Sequence, residues 1–154
     1  MLVTDRKRFP APGVGEVFSE AEWRVLEEVV RAGVGAIQLR EKDLDGGPLL
    51  ERARALVSVC RPRGVLVLVN GRVDVAVASD ADGVHLPAAG LEVCDARALV
   101  GPEKWVGRSI HSVGELEECR GADYVLFGPI YDTPAKRIYG RPQGPARLRE
   151  VAAE

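Results

Sequence analysis

The chain has 154 residues, 46% of them apolar and 29% charged, which is the size and balance of a single globular domain. The formal net charge is −2, so no overall positive field favours nucleic acid, and no apolar run approaches the roughly 18 residues of a membrane span. The three cysteines, Cys60, Cys94 and Cys119, lie far apart, which argues against a zinc knuckle or a disulfide framework and fits a reducing cytosol. We therefore expect a cytoplasmic protein that binds neither nucleic acid nor membrane.

Short apolar runs alternate with amphipathic segments along the chain. The runs are rich in Val, Leu and Ile and nearly continuous, which is typical of strands buried on both faces. They cover residues 1–4, 36–40, 65–70, 83–87, 105–111 and 124–130. Each is predicted to be a strand.

Helix signals fill the intervals between these strands. Ser19 and Glu22 form a capping-box pattern, an apolar stripe follows at helical spacing, and Gly33 is placed to end the helix. Later helix starts are predicted at Pro48, at Ser112 with Glu115, and at Pro145.

Strand and helix alternate without hairpin turns, which predicts parallel pairing and right-handed crossovers. An open doubly wound sheet and a closed barrel both satisfy this pattern. No G-x-G-x-x-G follows the first strand, and polar side chains cluster where strands end, as at the active-site face of a barrel. The pattern favours an α/β fold of the (β/α)₈ barrel type.

The sequence QLREKD leaves the second strand with Gln38, Arg40 and Lys42 on one face. An arginine fork and a lysine point charge together suit phosphate oxygens. The alternative is a strand-end salt-bridge cluster, in which Arg40 or Lys42 pairs with Glu41 or Asp43. Asn70 ends the third strand, where it could orient a ligand or cap the next helix.

His85 and His111 are the only histidines, and both are predicted to point inward from strands. An imidazole can transfer a proton near neutral pH. His111 follows a strand end beside Ser109 and Ser112 and is the better catalytic candidate, whereas mid-strand His85 fits a packed residue. No third ligand accompanies the two histidines, so we expect no metal site. Asp82, before the fourth strand, is expected to serve stability.

Five ordered sequence blocks resemble a known superfamily. They are residues 38–43 (QLREKD), 69–75 (VNGRVDV), 81–86 (ADGVHL), 107–112 (GRSIHS) and 124–136 (YVLFGPIYDTPAK). The chain resembles thiamine-phosphate synthase and its relative TenI, the thiazole tautomerase. The resemblance implies a (β/α)₈ barrel, of which residues 1–154 would be a single domain with about six units and without the last two.

The resemblance also implies two activities. The synthase joins a pyrimidine pyrophosphate to a thiazole phosphate and uses Mg²⁺, but Gly71 stands where its pattern has Asp, and residues 86–90 (LPAAG) lack its further Asp. We therefore expect a chain closer to TenI, a metal-independent tautomerase without a cofactor that moves a proton on a carboxythiazole phosphate. Thiamine-phosphate synthase, with Mg²⁺, and a non-catalytic relative are the alternatives.

The resemblance assigns roles residue by residue. His111 is expected to be the general acid and base, and Arg40 and Lys42 the anion-binding groups. Gln38 and Ser109 would orient the thiazole ligand, and the remaining phosphate-binding positions are Asn70 and Lys136, the latter in a long basic loop of residues 132–144. Strands without neighbours at either end of a six-unit barrel predict a homo-oligomer.

Overall fold

The computed structural model describes residues 1–132, 134 and 141–153. These residues form an α/β fold in which strands and helices alternate along the chain. Contacts divide the chain into two compact units, Met1–Val84 and His85–Glu154. Each unit is described by itself.

The first unit holds a parallel sheet of strands in chain order. Its elements are β1 (Leu2–Val3), α1 (Glu20–Arg31), β2 (Ala36–Leu39), α2 (Gly46–Cys60), β3 (Leu66–Asn70) and α3 (Val73–Ala78). Short 3-10 helices cover Arg6–Arg8 and Arg61–Arg63. Val3 pairs with Gln38, and Gln38 pairs in turn with Leu68, so three strands run side by side in one direction.

The second unit repeats this pattern. Strand β4 (Gly83–Leu86) begins in the first unit and ends in the second. It is followed by α4 (Val93–Val100), β5 (Trp105–Ile110), a 3-10 helix (Val113–Cys119), β6 (Tyr124–Phe127) and α5 (Gly144–Val151). Strands β5 and β6 are parallel, with Gly107 paired to Tyr124 and Ser109 paired to Leu126.

One face of each strand is mainly apolar and buried, with Arg108 of β5 as an exception, and the opposite face carries polar groups, of which Gln38 and His85 are also buried. Ile37, Leu39, Val67 and Val69 are completely buried, whereas Gln38 lies on the opposite face of β2. In β5, Val106 and Ile110 are completely buried on the face opposite Gly107 and Ser109. The buried faces form the core, and the opposite faces carry the candidate chemistry.

An Ala-Asp pair precedes both β4 and β6 and fixes the start of each strand. Asp82 donates its N–H to the carbonyl of Val67 and accepts the Val67 N–H at 2.8 Å on its carboxylate. Asp123 makes the same two bonds to Val106, at 2.8 and 2.6 Å. These bonds place Asp82 in the scaffold, consistent with the stabilising role predicted for it.

A buried ion pair ties α1 to α2. Arg52 and Glu22 are each about 4% exposed and hydrogen-bonded to each other, and the Arg52 guanidinium lies 4.0 Å from the ring centre of Phe18. Arg52 also donates to the carbonyl of Val17. The two helices are thereby held in register by charge as well as by apolar contact.

The structure confirms all six predicted strands, each one to three residues shorter than its apolar run. The Ser19 hydroxyl accepts the Glu22 N–H as predicted, and Gly33, with φ 84°, follows the end of α1. The predicted capping box at Ser112 does not form, because the Ser112 hydroxyl donates to the Glu115 carboxylate instead of accepting the Glu115 N–H, and a 3-10 helix follows. No described helix is long and apolar enough to cross a membrane.

Candidate functional site

Gln38 places a polar group on the face of β2 opposite the core residues Ile37 and Leu39. Its side chain is buried, with 2% exposure, and its amide Nε2 has no hydrogen-bond partner among the described residues. Leaving a buried donor unsatisfied costs about 1–3 kcal/mol, so such a group calls for an explanation. A ligand acceptor at this position would satisfy it.

The turn after β1 supplies the partners of the two carboxylates in the QLREKD segment. The buried carboxylate of Glu41 accepts the backbone N–H of Arg6 at 3.2 and 3.3 Å. The carboxylate of Asp43 accepts from the Arg6 guanidinium at 2.7 Å and lies 3.2 Å from Lys7 Nζ. The hydrogen bond from Lys7, with the charge of Arg6 adding to it, lowers the pKa of Asp43.

This arrangement leaves the cations of the segment available. The salt bridges considered from the sequence, Arg40 or Lys42 with Glu41 or Asp43, do not form, and within the described residues neither cation has an ion-pair partner. A cleft of about 290 Å³ opens at this point. It is lined by Asp5, Lys7, Arg40, Glu41, Lys42 and Asp43.

Backbone contacts fix where Arg40 leaves the sheet. The N–H of Arg40 donates to the Thr4 hydroxyl at 3.0 Å, and the Thr4 N–H donates to the carbonyl of Gln38 at 3.0 Å. Leu39 pairs with Val69 in the parallel sheet. Arg40 and Asn70, the next residue on each strand, therefore lie side by side at the same end of β2 and β3. Arg72, not Asn70, is the N-cap of α3. The first unit thus brings Gln38, Arg40, Lys42 and Asn70 to one end of two adjacent strands.

His111 follows the last residue of β5 in the second unit. Its Nδ1 lies 2.6 Å from the carbonyl oxygen of Gly128, which can only accept, so Nδ1 carries a proton. The neutral ring then has its lone pair on Nε2. The His111 N–H donates to Glu115 at 3.0 Å, and Ser112 donates to the same carboxylate at 2.8 Å. The Glu115 carboxylate thereby holds the backbone at the candidate acid–base residue.

Ser109 lies two residues before His111 on the polar face of β5, and its partner is His85. The Ser109 hydroxyl is 2.7 Å from His85 Nε2, and His85 Nδ1 is 3.0 Å from the hydroxyl of Tyr124. His85 is 2% exposed, in agreement with the packed role expected for it. Burial raises the pKa of Tyr124 to about 12, so this phenol stays protonated.

Arg108 holds the loop that follows β4. It is 2% exposed, and its guanidinium donates to the carbonyls of Leu91 at 2.7 Å and Ala88 at 3.1 Å and to Glu118 at 3.2 Å. The backbone of this loop is therefore fixed from β5.

The donor set does not fit the Mg²⁺ that the synthase pattern implies. Gly71 follows Asn70 at the end of β3, and residues 86–90 after β4 carry no carboxylate. Within the residues that the structure describes, no group of three His, Cys, Asp or Glu side chains could hold a metal ion. Mg²⁺ prefers carboxylate oxygens, and these strand ends do not supply them.

Sequence reasoning missed Arg6, Lys7 and Tyr124. The charge run Asp5-Arg6-Lys7-Arg8 directly after the first strand was the available signal for the first two. Tyr124 opens β6, and the parallel register with Gly107 places it beside β5. Lys136 lies outside the described residues.

Polar and cationic side chains at the ends of parallel strands are the arrangement in which barrel-type α/β folds place their active sites. The family model described as thiamine monophosphate synthase matches residues 2–154. The chain belongs to this family, which confirms the superfamily predicted from the sequence blocks.

Relatives and solved structures agree with this assignment. A protein of Geobacter sulfurreducens named putative thiamine-phosphate synthase is 42% identical over 84% of this chain and 62% of its own length. A bifunctional ThiM/ThiE protein of Symbiobacterium thermophilum is 45% identical over 83% of this chain and 27% of its own. The solved thiamine phosphate pyrophosphorylase from Pyrococcus furiosus is 30% identical, with a TM-score of 0.80 over 99% of this chain and 68% of that one.

The chain therefore spans about 62% of the length of relatives such as the Geobacter protein. The names of these relatives favour the synthase alternative over the tautomerase that the sequence analysis preferred. The closer likeness to TenI stays a prediction.

Proposed function

We propose that the chain belongs to a thiamine-phosphate synthase, an enzyme that joins a pyrimidine pyrophosphate to a thiazole phosphate. One observation carries the proposal: identity of 42–43% to proteins named for this activity, over 84% of the chain. We also propose that the fold is a (β/α)₈ barrel formed by a single domain. The likeness to the solved protein from Pyrococcus furiosus supports this fold.

The residues of the first unit would bind the phosphate-bearing substrate. Arg40 and Lys42 have no ion-pair partner among the described residues, and both line the 290 Å³ cleft. An arginine fork binds phosphate oxygens in pairs, and a lysine adds a compact charge. Gln38 would donate its buried amide N–H, and Asn70 would add a polar group at the neighbouring strand end. Lys136 is kept as a further phosphate-binding candidate.

Charge at the departing pyrophosphate would be neutralised by side chains of the protein. The ends of β3 and β4 lack the carboxylates that the synthase pattern uses for Mg²⁺, so Arg40 and Lys42 take this role in the proposal. Cations held in a partly enclosed cleft stabilise an anionic leaving group without rearranging as charge develops.

A second function, proton transfer on a carboxythiazole phosphate, is favoured by one observation at His111. Its Nδ1–H is held by the Gly128 carbonyl at 2.6 Å, which aims a basic Nε2 away from that contact. An oriented imidazole with one basic nitrogen is what a general base requires. Ser109 would orient the thiazole ligand in either reaction.

Parallel assays separate the two functions. The full chain is incubated with pyrimidine pyrophosphate and thiazole phosphate, with Mg²⁺ or with excess EDTA, and thiamine phosphate is measured. Proton transfer on carboxythiazole phosphate is measured in the same buffers. Formation of thiamine phosphate supports the synthase. Proton transfer in the presence of EDTA, with no thiamine phosphate formed, would favour the tautomerase over the synthase. No activity in either assay would favour a non-catalytic relative.

The predicted homo-oligomer is kept as a proposal. Val3 on β1 and Leu126 on β6 are 42% and 41% exposed, and within the described part of each unit β1 pairs only with β2 and β6 only with β5. Exposed strand edges with apolar side chains template pairing with another chain. Light scattering at micromolar concentration measures the oligomeric state directly.

A further inference from the structure

Tyr124, His85 and Ser109 form a chain of hydrogen bonds in the second unit. The Tyr124 hydroxyl lies 3.0 Å from His85 Nδ1, and His85 Nε2 lies 2.7 Å from the Ser109 hydroxyl. A neutral imidazole has one N–H and one lone pair. The chain therefore has a direction, and the direction decides whether Ser109 offers a ligand a donor or only lone pairs.

The phenol proton of Tyr124 fixes this direction. Within the described residues, His85 is the only hydrogen-bond partner of the Tyr124 hydroxyl. If Nδ1–H donated to Tyr124, the phenol proton would have no acceptor in this part of the chain. If the phenol donates to Nδ1, both groups are satisfied, and the ring proton sits on Nε2. His85 Nε2–H then donates to the Ser109 hydroxyl oxygen, so the hydroxyl proton of Ser109 remains for a different acceptor.

The packing around Tyr124 is built to hold the phenol at this place. The rings of Tyr124 and His85 are stacked, with centroids 5.6 Å apart. Gly107 makes room for the phenol, since a Cβ at this position would lie 2.0 Å from Tyr124 Cζ. Burial also keeps the phenol protonated, because it raises its pKa to about 12.

We propose that Tyr124 and His85 are positioning residues that make the Ser109 hydroxyl a hydrogen-bond donor to an acceptor-only ligand oxygen, such as a phosphate oxygen. The inference rests on the proposed function, which assigns Ser109 to a phosphorylated ligand. Phosphate oxygens accept hydrogen bonds, and a serine that already accepts from His85 is arranged to give its proton to one of them.

The two histidines should therefore be opposite tautomers, and this can be measured. His111 carries its proton on Nδ1, because Nδ1 faces a carbonyl oxygen, whereas His85 should carry its proton on Nε2. The tag-free chain is labelled with ¹⁵N-histidine, and the two rings are assigned with His85→Gln and His111→Gln. A free-state His85 protonated on Nε2 supports the proposal, and a proton on Nδ1 overturns it.

Tyr124→Phe keeps the ring and removes the donor. We expect the Kd for thiazole phosphate to rise about 3- to 10-fold, the range for one hydrogen bond, because Nδ1 then has no donor that holds the ring proton on Nε2. Ser109→Ala should weaken binding at least as much, and Ser58→Ala, on the exposed face of α2, should not. An unchanged Kd in Tyr124→Phe overturns the proposal. If the unmodified chain does not bind thiazole phosphate, the proposed function fails, and the free-state tautomer of His85 still decides the direction of the chain.

Discussion

The guanidinium Nη2 of Arg6 lies 2.7 Å from Oδ2 of Asp43, in an ion pair that joins the turn after β1 to the turn after β2. With Glu41 held by the backbone N–H of Arg6, both carboxylates of the QLREKD segment are engaged outside it. The ion pairs of these carboxylates are with Arg6 and Lys7 and not with Arg40 or Lys42, which are then available to an anionic ligand.

Removing the Arg6 charge should weaken anion binding without touching the binding cations. In Arg6→Gln, Asp43 keeps only its ion pair with Lys7 and becomes freer to pair with Arg40 or Lys42. Exposed ion pairs contribute about 0.2–1 kcal/mol, so the Kd for inorganic pyrophosphate should rise by a factor of about 1.4 to 5. Calorimetric titration measures it. Arg24→Gln, which breaks an exposed ion pair with Glu20 on α1, is the matched control. Equal affinity in Arg6→Gln and Arg24→Gln would show that Arg6 does not organise the cleft.

His111→Asn should lower the rate of proton transfer on the thiazole substrate by about 10²- to 10⁴-fold, the usual contribution of a general acid–base group. His85→Asn should cost less rate and more thermal stability, because His85 is buried and hydrogen-bonded on both ring nitrogens. Turnover and thermal melting are measured on both variants. The reverse ranking of rates would transfer the acid–base role to His85.

Gly107→Ala tests how tightly Tyr124 is packed. The added methyl would meet the phenol ring 2.0 Å away, and overpacking of this kind costs about 1–3 kcal/mol of unfolding free energy. Gly47→Ala in α2 meets nothing within 4 Å and should be neutral or slightly stabilising. Denaturant unfolding compares the two, and Gly107→Ala as stable as Gly47→Ala would mean that the ring is not confined.

The stability of the first unit should depend on the titration of Glu22. Burial raises the pKa of Glu22 above its ordinary value of 4.5, although the charge and hydrogen bond of Arg52 act in the opposite direction. The folded state then holds the proton of Glu22 more tightly than the unfolded state does. The resulting contribution to the free energy of unfolding is fully present below pH 4.5 and is lost as the pH rises through the pKa of Glu22 in the folded state.

Urea unfolding of the unmodified chain and of Glu22→Gln over this pH range measures the effect. The free energy of unfolding of the unmodified chain, relative to that of Glu22→Gln, should fall as the pH rises. A relative stability that grows with pH would mean that Arg52 dominates and that the pKa of Glu22 is lowered.

The sequence predicted the strands and the position of the cations because both follow from local pattern. Apolar runs and the period of two placed Gln38 and Ser109 on polar faces, and the register of β2 with β3 confirmed that Arg40 and Asn70 lie at the same sheet edge. The partners of these residues come from elsewhere in the chain. Arg6 lies 35 residues from Glu41, and Tyr124 lies 39 residues from His85, so only the pairing of strands brings them together.

The most direct test of the account is calorimetric titration of inorganic pyrophosphate, without added metal, into the unmodified chain and into Arg40→Gln/Lys42→Gln. We expect saturable binding to the unmodified chain and at least a 10-fold higher Kd in the double variant, since a hydrogen bond to a charged group is worth about 1.5–3 kcal/mol. The same Kd in both proteins, or no binding to the unmodified chain, would contradict it.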